Sequence, residues 1–310
     1  MTTALVTHPD CLRHVTPEGV HEQVARLEVV LRALEGLPLE RHPAPKATDA
    51  DILTLHSADY LADLRAKLPT DGVVCLDPDT DAETFLCPHS LKAAFRAVGG
   101  ALKAVDLVLD GDAQNAFAAI RPPGHHAETA LPMGFCIFGN VAIAAKHALT
   151  RVDRVAIVDF DVHHGNGTQA LLWDEPRALT ITSHQSPLWP FTGTPAETGA
   201  HDNVLNIPLP PETGGTEMRV AYEEQVFPRL TAFNPDLILI SAGFDAHISD
   251  PLAELRWTEK DYAWLTHRLC DIADQCCDGR VVSALEGGYD LDALAASAAE
   301  HVKVLTERGQ

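Results

Sequence analysis

The sequence is short of positive charge: across 310 residues, 23 Lys and Arg face 44 Asp and Glu, a formal net charge of −21. Phosphate backbones and anionic lipid surfaces select basic patches, so this balance speaks against a nucleic-acid partner and against membrane binding. No uninterrupted apolar run reaches the roughly 18 residues that a membrane-crossing helix needs. The N-terminus, Met1-Thr2-Thr3-Ala4-Leu5-Val6-Thr7, has no basic region ahead of an apolar stretch, so no secretory leader is expected. The seven cysteines (Cys11, Cys75, Cys87, Cys136, Cys270, Cys276 and Cys277) are odd in number and contain no C-x-x-C spacing. That pattern fits neither a disulfide framework nor a zinc finger, and reduced thiols in a cytoplasm are the expectation. No G-x-G-x-x-G follows an apolar run and no P-loop lysine occurs, which speaks against a nucleotide cofactor. Ser241 lies outside any G-x-S-x-G elbow, which speaks against a serine hydrolase.

What is present is a globular composition, 46% hydrophobic and 22% charged. Short Val-, Ile- and Leu-rich runs at Ala4–Val6, Ala116–Ile120, Val155–Asp159, Leu179–Thr182, Leu237–Ser241 and Val281–Leu285 read as strands. Most are continuously apolar, as strands buried on both faces of a parallel sheet are. Helical patterns lie between them. Thr16-Pro17-Glu18 offers a helix start that runs to Gly36, and Ser90–Leu109 keeps its apolar residues on one stripe. Thr258-x-x-Asp261 resembles a capping box ahead of a helix ending near Cys277, and Leu291–Leu305 is an alanine-rich last helix. Pro69–Pro88 is polar and irregular and reads as a surface loop. With no repeat and no linker, residues 1–310 are expected to form a single α/β domain, a mainly parallel sheet flanked by helices. Ligands of such sheets sit beyond the carboxyl ends of the strands.

Four of those ends carry chemistry: Arg121-Pro122-Pro123-Gly124-His125-His126, Asp159-Phe160-Asp161-Val162-His163-His164, Ser241-Ala242-Gly243-Phe244-Asp245 and Glu286-Gly287-Gly288-Tyr289. Asp161 and His163 are two apart, so on extended chain both leave the same face and can reach one ion. Asp245 on another strand is the candidate third ligand, and such a set with open positions suits catalytic Zn²⁺, with Fe²⁺ or Co²⁺ left open. His125 and His126 follow a rigid turn and suit proton shuttling, and Asp159 suits holding one imidazole in its tautomer. Tyr289, after two glycines that allow close backbone approach, suits donation to an oxyanion.

Together R-P-P-G-H-H-A at 121–127, G-F-C at 134–136, D-F-D-V-H-H-G-N-G-T at 159–168, S-A-G-F-D at 241–245 and E-G-G-Y at 286–289 resemble the zinc-dependent histone deacetylase and acetylpolyamine amidohydrolase family, of the class II-like bacterial type. The resemblance implies an arginase/deacetylase-like fold and hydrolysis of acyl-lysine or acylated amines with one Zn²⁺ per chain. It implies Asp161, His163 and Asp245 as zinc ligands, and His126 as base and then acid. His125 would be its electrostatic partner beside Asp159, Asn166 would stand behind His126 where some members carry aspartate, and Tyr289 would be the oxyanion donor. A tunnel walled by Gly134, Phe135 and Trp189 is implied, with Leu252 at the rim, Gly287 and Gly288 at the substrate, and Glu83 near the substrate backbone. A monovalent cation, K⁺ by analogy, would sit near Asp159, Asp161, His163, Thr182 and Ser183. Leu252 stands where polyamine-specific relatives can carry glutamate, which weakens that substrate. An arginase-like ureohydrolase and a catalytically idle acyl-lysine binder are the rivals, and a homo-oligomer is left open.

Overall fold

The structure, a computed structural model, describes residues 2–77 and 83–309. Its strands in chain order are β1 (Thr3–Thr7), β2 (Leu39–Pro43), β3 (Val74–Cys75), β4 (Phe85–Leu86), β5 (Asn115–Ala118), β6 (Val155–Asp159), β7 (Ala178–Gln185), β8 (Val204–Leu209), β9 (Leu237–Ala242) and β10 (Val281–Leu285). The helices are α1 (Val24–Ala33), α2 (Asp49–Ile52), α3 (Ala58–Lys67), α4 (Ser90–Leu109), α5 (Asn140–Ala148), α6 (Asn166–Leu172), α7 (Gly215–Ala221), α8 (Phe227–Phe233), α9 (Glu259–Cys276) and α10 (Leu291–Arg308). A π-helical turn, Tyr222–Val226, joins α7 to α8.

Eight strands make one sheet in the order β2-β1-β5-β10-β9-β6-β7-β8. Every pairing in it is parallel. Because side chains alternate along a strand, each central strand feeds two cores. Ala4, Val6 and Ile157 join Phe95, Val98 and Phe138 on the α4–α5 side. Leu5, Ala156 and Val158 join Leu27, Tyr262, Leu269 and Leu305 on the side of α1, α9 and α10. The five residues of β6 and of β10 are all buried, the burial that a continuously apolar run forecasts.

Two local expectations need correction. The helix expected from Thr16 starts at Val24, with Gln23 as its N-cap, and ends at Ala33 rather than at Gly36. Thr16 spends its hydroxyl donating to the Glu22 carbonyl at 2.6 Å, and the Glu22 side chain is drawn into a buried pair with Arg26 at 3.2 Å. The chain therefore turns inward before it can coil. The stretch Pro69–Pro88 contains a small antiparallel pair, β3 with β4, while 78–82 lie outside the described residues.

Candidate active site

The four loaded strand ends belong to β5, β10, β9 and β6, which are neighbours at the centre of the sheet. Parallel pairing brings all four carboxyl ends to one edge, so residues from 121 to 289 meet there without long loops.

At that edge Asp161, His163 and Asp245 are buried, and one donor atom from each lies within 4.8 Å of the others. His163 Nδ1 stands 3.2 Å from Asp161 Oδ1 and 3.2 Å from Asp245 Oδ2. Backbone amides aim the carboxylates: Val162 N–H donates to Asp245 Oδ1 at 2.8 Å and Gly287 N–H to Asp161 Oδ2 at 2.8 Å. A Cβ on Gly287 would come within 2.1 Å of Asp245 Oδ2 and 2.5 Å of Asp161 Oδ2, so only glycine leaves the cradle open. Counting the protein's own charges alone, burial and then Asp161 push the Asp245 carboxyl up to about 7. Burial works against a charged His163, yet its bonds to Asp161 and Asp245 hold the ring up to about 10. Crowded negative charge that must borrow a proton is what a divalent cation relieves. The donor set, two carboxylates and an imidazole, can hold a metal ion.

The tandem histidines lie beside it, their rings 3.9 Å apart. His125 Nδ1 is 3.0 Å from Asp159 Oδ2. Burial disfavours its charge, but Asp161 and then Asp159 outweigh that and hold it well above the ordinary imidazole value. His126 is driven the opposite way, by burial first and then by the charges of His125 and His163. Its Nδ1 is 2.8 Å from Asn166 Oδ1, while Asn166 Nδ2 donates to Glu128 Oε1 at 2.9 Å. Glu128 thereby fixes which way the amide faces, so His126 carries its proton on Nδ1 and keeps the Nε2 lone pair free. The turn carrying both histidines is tied to β10, since Glu286 Oε2 accepts from Gly124 N–H at 2.7 Å and His125 N–H at 3.2 Å.

A cavity of about 210 Å³ opens from His126 and His163, walled by Gly134, Phe135, Trp189, Leu252 and Tyr289, with Glu83 also at its lining. Gly134 has φ +54, and a Cβ there would press within 2.4 Å of His126 and 2.6 Å of Trp189. The rings of Phe135 and Tyr289 are 5.7 Å apart, and that of Trp189 is 4.7 Å from His126. Asp250 joins two walls, one oxygen accepting from Leu252 N–H at 3.0 Å and the other from Tyr289 N–H at 2.8 Å. Gly287 and Gly288 are not among the lining residues and stand behind the wall. Arg26 donates there to the Gly288 carbonyl at 2.6 Å and the Glu286 carbonyl at 2.5 Å, with its guanidinium 4.9 Å from the Tyr289 ring centre. Thr182 pairs in register with Asp159 across β6 and β7, and Ser183 follows it, its hydroxyl 2.6 Å from Tyr222. All of the expected residues thus gather at one edge. Sequence reasoning missed His21 and Leu188 in the lining, and Glu128, Asp250 and Arg26 behind it. A carboxylate spent on main-chain amides has no spacing that announces it; Glu286 was at least part of a motif.

The histone deacetylase domain family matches residues 20–305, and the chain belongs to that family of hydrolases. A probable deacetylase of Archaeoglobus fulgidus is 38% identical, over 94% of this chain and 82% of its own length. The human polyamine deacetylase HDAC10 is 36% identical over 98% of this chain and 48% of its own. The crystal structure of the HDA15 HD domain superposes with a TM-score of 0.90 at 30% identity, covering 99% of this chain and 89% of that one. No helix among the described residues is long and apolar enough to cross a membrane.

Proposed function

We propose that the chain, residues 1–310 acting as one deacetylase domain, is a zinc-dependent amidohydrolase that removes acetyl or other acyl groups from lysine side chains or acylated amines. The observation that carries this reading is the free Nε2 of His126, set by the Asn166 bond, on the same cavity as Tyr289 and the Asp161–His163–Asp245 group. Zn²⁺ held by Asp161, His163 and Asp245 would supply a Lewis acid for the amide carbonyl and for water. A structural K⁺ near Asp159, Asp161, His163, Thr182 and Ser183 is part of the proposal.

The chain's own residues do the rest. His126 is neutral because burial and its charged neighbours depress it, so its Nε2 takes the proton from the attacking water. The Tyr289 phenol, whose ionisation burial opposes, stays protonated and donates to the developing oxyanion. His126 then returns the proton to the leaving nitrogen as the C–N bond breaks, which gives the acid and the free amine. His125, held charged by Asp161 and Asp159, stabilises that negative charge through the site. Phe135 and Trp189 would flank the acyl-lysine stem, with Leu252 and Glu83 at the substrate. Leu252 puts no carboxylate at its own wall position, which weakens the polyamine reading, while Glu83 still offers one at the lining. A reducing compartment such as a cytoplasm is supported by seven free cysteines.

The test compares wild type with Tyr289→Phe and His126→Ala on acetyl-lysine peptides and acetylputrescine, with zinc content measured alongside. Loss of an oxyanion donor or a general base predicts kcat lower by about 10²–10³-fold with zinc still bound. Undiminished turnover in either variant overturns the reading, and faster hydrolysis of the acetylated amine moves the substrate to polyamines.

A further inference from the structure

Trp189 forms a wall of the cavity but stands on a surface loop, 186–197, in which Phe191 is 76% exposed and Thr192 and Thr194 are exposed. A wall on such a loop keeps its position only where the loop is tied to the body. The tie is a polar chain starting one residue after His163. His164 is buried, with Nδ1 2.7 Å from Thr192 Oγ1 and Nε2 3.1 Å from Gln169 Oε1. Gln169 Nε2 donates to Glu197 Oε2 at 2.7 Å, and Asn206 Nδ2 donates to Gln169 Oε1 at 2.8 Å. The Gln169 oxygen therefore faces His164, which puts the His164 proton on Nε2 and makes Nδ1 the acceptor of the Thr192 hydroxyl. Glu197 closes the loop on itself by accepting from Thr194 N–H at 2.9 Å and Thr194 Oγ1 at 3.0 Å.

We propose that Thr192 is a specificity-determining positioning residue: clamped by His164, it sets where Trp189 stands and so the width of the acyl-binding channel. The consequence for substrates rests on the deacylase reading; the placement of Trp189 does not. Removing the hydroxyl in Thr192→Val leaves the catalytic groups untouched, and Thr192→Ser restores the donor. With zinc-loaded protein, Thr192→Val is expected to raise KM for an acetyl-lysine peptide about fivefold with kcat within twofold. It is also expected to shift the butyryl-to-acetyl ratio of kcat/KM at least threefold, with Thr192→Ser at wild-type values. In 5-fluorotryptophan-labelled protein, whose four tryptophans are Trp173, Trp189, Trp257 and Trp264, ¹⁹F spectra read the loop without any turnover. The Trp189 resonance, assigned by Trp189→Phe, should move in Thr192→Val and return in Thr192→Ser. An unmoved Trp189 resonance, an unchanged acyl ratio, or a Thr192→Ser that behaves like Thr192→Val overturns the proposal. A wild type with no deacylase turnover overturns the function instead, and the ¹⁹F result still decides the clamp.

Discussion

At the scale of the residue, the site gives two adjacent histidines opposite environments. Their rings are 3.9 Å apart, yet His125 faces the carboxylate of Asp159 and His126 the amide oxygen of Asn166. A carboxylate partner favours imidazolium, whereas an amide offers an acceptor without charge. This division predicts the effect of Asn166→Asp. A charge 2.8 Å from His126 Nδ1 would stabilise the protonated ring and raise its pKa. On the proposed role of His126 as base, which requires a neutral ring, the acid limb of the kcat–pH profile should move to higher pH, by about one unit or more. An unmoved limb would separate that limb from His126. These residues were readable in the sequence because each sits within three residues of its neighbour in a motif: Asp159, Asp161 and His163 on one strand end, His125 with His126 on another. Glu128, Asp250 and Arg26 were not. Apart from the nearby Leu252 amide, their partners, Asn166, the Tyr289 amide and the carbonyls of Glu286 and Gly288, lie 38 or more positions away and are specified only by the fold. Leu188, next to Trp189, and His21, in the turn before α1, were hidden for a simpler reason: a single apolar or imidazole side chain carries no pattern.

At the scale of the element, what could be read depended on where in the sheet a strand lies. The six expected strands correspond to β1, β5, β6, β7, β9 and β10, which occupy the interior of the sheet. The two edge strands gave no apolar run. β2, Leu-Glu-Arg-His-Pro, has no buried residue, and β8 breaks its apolar run with a buried Asn206 and with Pro208. An edge strand needs only one partner and one covered face, so its side chains are free to be polar. Helix ends were readable where a side chain caps them and obscure where tertiary contacts decide. Thr258 and Asp261 start α9 as expected: Thr258 N–H donates to Asp261 Oδ2 at 2.8 Å and Thr258 Oγ1 to the same oxygen at 2.9 Å. The other oxygen of Asp261 accepts from Arg219 Nη2 at 2.7 Å, so one carboxylate starts α9 and docks α7. Asp261→Ala should therefore lose a cap and an inter-helix bond together, about 1–2 kcal/mol of stability. Urea unfolding checks this, and a midpoint equal to wild type would mean that α9 starts without the box. At Thr16 the same kind of cue failed, because the hydroxyl donates to the Glu22 carbonyl instead of accepting a helix amide.

At the scale of the whole molecule, the net charge of −21 and the buried histidines respond to acid in opposite directions and at different pH. Carboxylates ordinarily titrate near 4, so protonation relieves the mutual repulsion of the acidic surface only below about pH 5. The histidines act earlier. Burial lowers His14, His56, His164 and His184 to about 4 and His301 to about 3, so all five are neutral in the fold at pH 6. Unfolded, each ring takes a proton as the pH drops below its ordinary value of 6.5. Groups held high act the other way: burial lifts the Asp245 and Glu286 carboxyls to about 7, so they take up protons in the fold first. His163 and His125 keep their protons in the fold above pH 6.5, so their contribution is complete below that value and is lost only as the pH rises beyond it. Below about pH 6 the five rings outnumber these carboxyls, the unfolded chain binds more protons than the folded one, and stability falls as pH falls. The contribution of the five rings is complete above about pH 7, and below the folded values it changes no further. Glu22 extends the loss to lower pH. Burial opposes its charge, but Arg121 overrides that and holds it down at about 2, so its contribution is present above its ordinary value of 4.5 and fades as the pH falls from 4.5 to 2. Each proton taken up only on unfolding contributes about 1.4 kcal/mol per pH unit, and even two such rings outweigh the slow gain from relieved repulsion above pH 5. Urea unfolding from pH 6 to pH 5, in chelator so that metal release adds nothing, should show stability declining as the pH falls. A flat profile across that window would mean that these rings are already charged inside the fold, and that the polar contacts around His14, His164 and His301 carry imidazolium rather than imidazole.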